Sequence, residues 1–397
     1  MFNELYFNIK IILKQKDISF LAFIISLFLL PNSINLSTFA LVTAVTLKII
    51  QAIFFQNKLL KTKALKYSAL LGLLFFIYIL LSSIFQTSFK NTIELFNKQY
   101  SHFALLFLAP LLFKKRGDNK LLLYSFLLGT ITAVVLVFLI SMLNGTPFNR
   151  VAFLKYLDIH HTYLAIFLLF ILNLILNNLF NFKKGLTNSY KAIFLTIAVL
   201  IIAVLFQLES KASMIIIIGL IVFYIFQKLN IKRLSLFIIS LFAFMFLINA
   251  FNNKIHTSYE KALDFRLQLW EESFNIFKES PIIGNLKAPE KDLLNFNHYV
   301  NGKYFFLDSD LNSHNQYLSI LMRFGALGTM ILLLYGVYII ALIMKTKQKY
   351  TISEFIGFSL IILFMFYIEN VIDRHHGIVY FSVFYNYYLV AFENEKN

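Results

Sequence analysis

Cysteine is absent from the 397 residues. The chain therefore has no disulfides, no metal thiolates and no thiol nucleophile. Charge is scarce too: Asp, Glu, Lys and Arg make up 14% of the sequence, well below an ordinary soluble domain. Acidic residues are outnumbered 20 to 36, for a formal charge of +16. In a soluble protein that excess would suggest nucleic acid. Here the lysines sit in small clusters between apolar runs, the pattern by which a membrane protein fixes its orientation, and no nucleic-acid partner is expected. Arginine is rarer still, six of the 36 basic residues. No internal repeat, inverted or direct, is legible, which counts against a transporter built from repeats. Nor is a cleavable signal peptide expected: the first apolar run comes after "NIKIILKQKD" and ends at Pro31 without a small-residue cleavage site.

What is abundant is apolar surface. The sequence is 59% hydrophobic and contains 47 phenylalanines. Apolar runs of roughly 17–25 residues recur, each long enough to cross about 30 Å of hydrocarbon as a helix. They lack the polar–apolar alternation of transmembrane barrel strands. The expected fold is an all-α polytopic membrane protein with about 12 transmembrane helices, near 18–32, 34–55, 66–85, 96–113, 121–143, 161–180, 192–208, 212–227, 234–251, 316–344, 352–368 and 377–392. The basic segments "KLLKTKALK", "KKRGDNK", "KKGLTNSYK", "QKLNIKR" and "KTKQK" fall on every second connection. With the basic N-terminus they define a cytoplasmic face, so both termini are expected there. The chain then divides into three regions: helices 1–9 over 1–251, a loop with short helices on the opposite face over 252–315, and helices 10–12 over 316–397. In the loop, "YEKALDFRLQLWEESFNIFKES" has helical periodicity, and Pro281, Gly284 and Pro289 interrupt any helix beyond it.

The ionisable groups of the outer face are candidates for chemistry. Arg150, Arg266, Arg323 and Arg374 map there or just inside, and in a lysine-rich chain an arginine points to a planar, bidentate donor suited to phosphate. The alternative for each is a snorkelling side chain at a helix end. Arg266 and Trp270 are four residues apart and share a helix face. Glu209, Ser210 and Lys211 form the polar turn between two spans, either a bare turn or a positive charge at the outer mouth. His314 can accept a proton near neutrality, or serve only the start of a helix, with Asn312 or Ser313 as its cap. His160 and His161, and Glu369, Asp373, Arg374, His375 and His376, complete the set. Adjacent histidines point apart on a helix and no His-x₃-His spacing occurs, so no metal is expected. "DSD" at Asp308 and Asp310 looks like a sugar-nucleotide motif, but such donors are not expected outside the cytoplasmic membrane. "GALG" (325–328) is read as a close helix approach.

Taken in order, "SKAS" (210–213), "RLQLW" (266–270), "PIIG" (281–284), "SHNQYL" (313–318) and "GALG" resemble the O-antigen ligase and O-antigen polymerase superfamily of bacterial envelopes. The motifs cover about 192–344, and the layout of spans extends the likeness to the whole chain. The resemblance implies an integral-membrane glycosyltransferase of the GT-C type in the bacterial inner membrane. Such an enzyme moves a glycan from an undecaprenyl-diphosphate carrier to a hydroxyl, on lipid A-core for a ligase or on a glycan for a polymerase, at the periplasmic face. It implies inversion at the anomeric carbon with no metal or other cofactor. The family's cationic diphosphate-binding positions fall on Lys211 and Arg266 and its essential histidine on His314. At 211 arginine is usual; lysine keeps the charge and loses the bidentate fork. Ser210, Trp270, Asn315, Tyr317, His161, Arg150 and Arg323 are candidates for shaping the substrate site. A protein O-oligosaccharyltransferase belongs to the same reading. A transporter or flippase, and a non-catalytic scaffold, are the alternatives of other classes; clean spans with ionisable groups gathered at one surface count against the former.

Overall fold

The computed structural model describes residues 17–55, 59–114, 118–181, 187–227, 253–309 and 311–393. Among them the regular structure is entirely helical. The expected span at 234–251, and the basic segments of the N-terminus and of 228–233, lie outside the described residues. So do Asp310 and the side chain of Asp308.

The first helices are explained by their caps and apolar runs. α1 (Ile18–Leu29) starts at Asp17, whose carboxylate accepts the Phe20 N–H at 3.2 Å and pairs with Lys114 Nζ at 2.9 Å. α2 (Ile34–Phe55) turns back beside it, and α3 (Lys63–Gln86) is capped by Thr62. The fourth expected span, 96–113, is not one helix. It runs as α4 (Phe89–Leu95), a π turn (Phe96–Tyr100), a 3₁₀ turn (Ser101–Ala104), α5 (Leu105–Leu108) and a second 3₁₀ turn (Ala109–Leu112). Pro110 removes a backbone donor, and the extra π residue rotates Tyr100 and Phe103 inward to full burial. The segment also lies hard against α3: a Cβ on Gly72 would stand 2.5 Å from the Leu106 backbone.

Next come α6 (Lys120–Leu143), α7 (Arg150–Tyr156), α8 (His161–Asn181), α9 (Asn188–Gln207) and α10 (Lys211–Phe226). The segment expected on the outer face, termed the outer segment, forms α11 (Asn253–Glu279), α12 (Glu290–Val300) and a 3₁₀ turn (Tyr304–Ser309). α13 (Gln316–Ile343), α14 (Lys349–Ile368) and α15 (His375–Glu393) complete the chain. Among the described helices seven, α2, α3, α6, α8, α9, α13 and α14, are long and apolar enough to cross a membrane. The protein is a multi-pass membrane protein. α8 is buried over 83% of its apolar window and α9 over 17%, so α8 is central and α9 offers most of its surface to lipid. Around α8, rings of Phe126, Phe167, Phe170, Phe358, Tyr380 and Phe384 meet at 4.4–6.5 Å.

α13 departs from its expected form. It is broken at Gly325, which takes φ 60° and ψ −168°. The continuous helix beyond the break spans roughly 27 Å, close to the hydrocarbon thickness. The cause lies in the outer segment. Residues 281–285 add their backbone to α13: Ala326 N–H donates to Pro281 O, Leu327 N–H to Ile282 O, and Asn285 N–H to Met322 O, at 2.8–3.0 Å. Gly284 and Gly325 meet face to face, and a Cβ on either would lie within 2.6 Å of the other strand's backbone. "PIIG" and "GALG" are thus two halves of one interlock, and Gly325 closes it within the chain. Gly328 also meets a ring, Tyr78 on α3.

Candidate functional site

Beneath "SHNQYL" lies a buried polar network. Arg323, fully buried, donates from Nη2 to both oxygens of Asp373 at 2.7 Å and from Nε to Ser319 O at 3.1 Å; Glu290 Oε2 lies 3.5 Å from Nε. Glu290 also accepts from Asn370 Nδ2 (2.9 and 3.0 Å), the Ser319 hydroxyl and the Ser313 N–H (2.9 Å). Gln316 bridges Asp373 and the Ile372 N–H. The face Gln316–Ser319–Arg323 therefore converges on Asp373. Burial pushes the Asp373 carboxyl up, but the Arg323 charge and hydrogen bonds outweigh it and hold it below its ordinary value.

This network decides where His314 points. Ser313 and Asn315 are buried on either side of it: Asn370 Oδ1 accepts the Asn315 N–H at 2.9 Å and the Ser313 hydroxyl at 3.2 Å. Between two inward anchors the chain flips at His314, which takes φ 45°. Asn312 Oδ1 supports the flip by accepting the His314 N–H at 3.1 Å. The cap of α13 is Asn315, whose side chain accepts the Leu318 N–H at 3.1 Å, and not Asn312 or Ser313, because those two serve the turn. Among the described residues only Glu209 and His314 are non-glycine residues with positive φ. Each costs about 1–2 kcal/mol, and each sits within two residues of, or at, a position expected to be functional.

The His314 ring is part-exposed, at 29%, with Nδ1 3.5 Å from Glu369 Oε2. That separation allows an ion pair when the imidazole is protonated, without a hydrogen bond of good geometry at that nitrogen. Burial raises the Glu369 carboxyl; His314, the Asn370 N–H and His160 more than offset this and leave it below its ordinary value. His160 is pulled down, first by burial, against the Glu369 charge and together with Arg374, Arg150 and His314. Those influences put Arg150, at the first position of α7, and Arg374 within electrostatic range of His160. His161, opening α8, lies ring to ring with His160 at 4.2 Å.

Lys211 is the first, exposed residue of α10. Glu209 (φ 53°) makes the turn, and Ser210 is buried, its hydroxyl accepting from Ser213 at 2.7 Å. One turn further, Ile215, Ile216, Gly219 and Leu220 face Tyr317, Leu360, Leu363, Phe364 and Tyr367 across an apolar groove of about 540 Å³. Tyr317 is held by its hydroxyl on Leu363 O at 2.9 Å. Trp270 packs edge-on against Tyr367 at 5.1 Å, two residues before Glu369. Lys211 thus precedes the α10 wall of the groove by one turn, Trp270 packs on its Tyr367, and His314 and Glu369 lie three residues before Tyr317 and two after Tyr367; Arg266 is half-buried one turn before Trp270 on α11.

Two of the expected substrate-shaping residues lie beneath that surface. Arg323 is 0% exposed and spent on Asp373; Asn315 is spent as a cap. Both position the residues above them. Glu290, the hub of the network, carried no expectation from sequence; its signal is an acidic residue in the first turn after Pro289. Among the described residues no three His, Asp or Glu side chains are grouped as metal ligands.

Comparison with known families gives one match. The O-antigen ligase family profile matches residues 196–333, from within α9 to within α13. That segment carries Ser210, Lys211, Arg266, Trp270, the interlock and His314. No curated protein matches the chain. That match supports a place for this segment in the O-antigen ligase and polymerase superfamily.

Proposed function

We propose that the protein transfers a glycan from an undecaprenyl-diphosphate carrier to a hydroxyl of an acceptor, lipid A-core in the ligase case, at the periplasmic face of the bacterial inner membrane. The observation that carries this reading is the His314–Glu369 pair, turned over a buried network three residues before Tyr317 and two after Tyr367 of an apolar groove whose α10 wall begins one turn after Lys211. The groove suits the polyprenyl chain, and Lys211 and Arg266 suit its diphosphate. The acceptor oxygen attacks the anomeric carbon from the side opposite the diphosphate, so the configuration inverts. The C1–O bond electrons leave with the diphosphate, whose growing charge the two cations neutralise. His314 takes the hydroxyl proton, and Glu369 orients the ring and balances the imidazolium. No metal or cofactor enters the scheme.

The family match supports glycan transfer and leaves ligase, polymerase and protein O-oligosaccharyltransferase as acceptor choices. The ligase reading is preferred for the modest length of the outer segment. The test is complementation of a strain lacking the protein with wild type, Arg266→Ala and His314→Ala at matched levels, and then gel analysis of lipopolysaccharide. Restoration of glycan-capped lipopolysaccharide by wild type alone, with glycan retained on the carrier in both variants, supports the ligase. Capping by single repeat units in the deletion strain indicates a polymerase. Wild-type behaviour of His314→Ala sinks the mechanism. The same reading has about twelve crossings with both termini cytoplasmic. The cysteine-free chain allows a direct check: Ser280→Cys should react with an impermeant thiol reagent from the periplasm, and Thr346→Cys should not.

A further inference from the structure

A second cleft lies on the outer segment, away from the groove. We propose that it is a subsite for a pyranose ring of the transferred or accepting glycan; this rests on the glycan-transfer reading above. Phe265 and Gln268 of α11 form one wall, and Gly302, Lys303, Tyr304 and Phe305 the other, around about 560 Å³, within the range of small-molecule sites.

The loop wall is built rigidly. α12 ends where Gly302 takes φ 70°, and the Lys303 N–H returns to His298 O at 2.8 Å. Buried Glu272 accepts from Asn301 Nδ2 at 2.9 Å and pairs with Lys303 Nζ. Phe306 is clamped between the His298 ring (4.7 Å, stacked) and Phe265 (5.0 Å). On this frame Tyr304 and Phe305 stand 60% and 73% exposed.

Charge decides the ligand class. Lys303 is neutralised by Glu272, with Glu271 at 3.9 Å, so the described lining offers no free cation to a phosphate. A hydrocarbon tail would bury the Gln268 amide and the ion pair without partners. A sugar uses both kinds of surface: its C–H face lies on an aromatic ring, and its hydroxyls meet a neutral amide and a phenol. Position agrees. The cleft shares α11 with Trp270, which packs on Tyr367 two residues before Glu369, so the helix that carries one wall of the cleft also touches the segment leading to the His314–Glu369 pair.

The experiment uses the full chain in nanodiscs, as wild type, Tyr304→Ala and Phe305→Ala, with saturation-transfer NMR against two probes separately: glycan hydrolysed from the lipid carrier, and delipidated core oligosaccharide. Loss of transfer to one probe in both variants, at unchanged melting temperature, is the expected result, and it names the donor or the acceptor as the source. In the transfer reaction the KM for that substrate should rise about 3- to 10-fold with little change in kcat. Equal signals from wild type and variants with both probes overturn the subsite. So does a loss of vesicle binding by the variants with glycan signals intact, which would make the aromatics a membrane contact. Absence of transfer by wild type, with the NMR difference preserved, would sink the proposed function and leave the subsite standing.

Discussion

Two buried polar networks lie at opposite ends of the helix bundle, and each is centred on carboxylates. At the inner end, Glu354 of α14 accepts from Tyr388 at 3.0 Å and from Asn177 at 3.3 Å; Asn173 donates to the Glu354 carbonyl and accepts from Tyr224 at 2.7 Å. Every partner named there is a neutral hydroxyl or amide, and the cluster ties α8, α10, α14 and α15 together. At the outer end, Asp373 and Glu290 surround a guanidinium, and the network's upper edge is a strained, part-exposed histidine. The inner network closes on itself. The outer one spends its bonds holding a turn that no helix or cap would otherwise stabilise. A buried polar cluster that presents a strained, ionisable edge is organised for chemistry, whereas one whose members satisfy one another is organised for helix packing.

Substitutions can break this contrast. Arg323→Ala leaves two carboxylates buried without their cation. A loss of about 3–5 kcal/mol is expected, read as a fall in thermal unfolding temperature in detergent, with transfer lost as His314 is released. Glu369→Gln keeps the shape and removes the charge behind His314. Transfer should fall roughly 10²-fold with unfolding nearly unchanged, which separates positioning from stability. Gly325→Ala attacks the interlock: its Cβ would lie 2.4 Å from Ile282 O at a φ of 60°. Backbone strain alone is worth about 1–3 kcal/mol, and the variant should unfold earlier than Gly336→Ala, where the space is open.

The pH dependence has a defined sign. Asp373 and Glu369 are held below their ordinary values, so the native state binds fewer protons than the unfolded chain in that range. Their stabilisation is complete above the unfolded carboxylate pKa of about 4 and is lost as pH falls through the lower native values. Melting temperature should decline from pH 5 to 3, and less steeply in Glu369→Gln. The smallest effect is expected at the inner network. Glu354→Gln keeps the acceptor for Tyr388 and should cost about 1 kcal/mol, with transfer kinetics unmoved. A large kinetic effect there would erase the distinction between the two ends.

Much of this was legible in one dimension. Apolar run length announced α2, α3, α6 and α8, because a helix satisfies its own backbone and needs only a hydrophobic surface. The order of SKAS, RLQLW, PIIG and SHNQYL carried the family resemblance that the match over 196–333 supports. The irregular segment at 96–112 was not legible, since one proline and a π turn do not reveal which rings must be rotated inward. The break in α13 was also hidden: GALG reads as a helix-packing motif, and the segment that splits it lies about 40 residues upstream.

The sequence by itself determined the class of protein, its helical makeup and the residue types at the site, because those depend on local periodicity and composition. Tertiary structure alone decided the division of labour among them. Arg323 and His314 are nine positions apart and equally polar in sequence, yet one is fully buried against Asp373 and the other is turned outward beside Glu369. That outcome depends on Glu290 arriving from α12, and Asn370 and Asp373 from the connection between α14 and α15, to anchor the backbone around His314, and long-range hydrogen bonds of this kind have no period for a sequence to show.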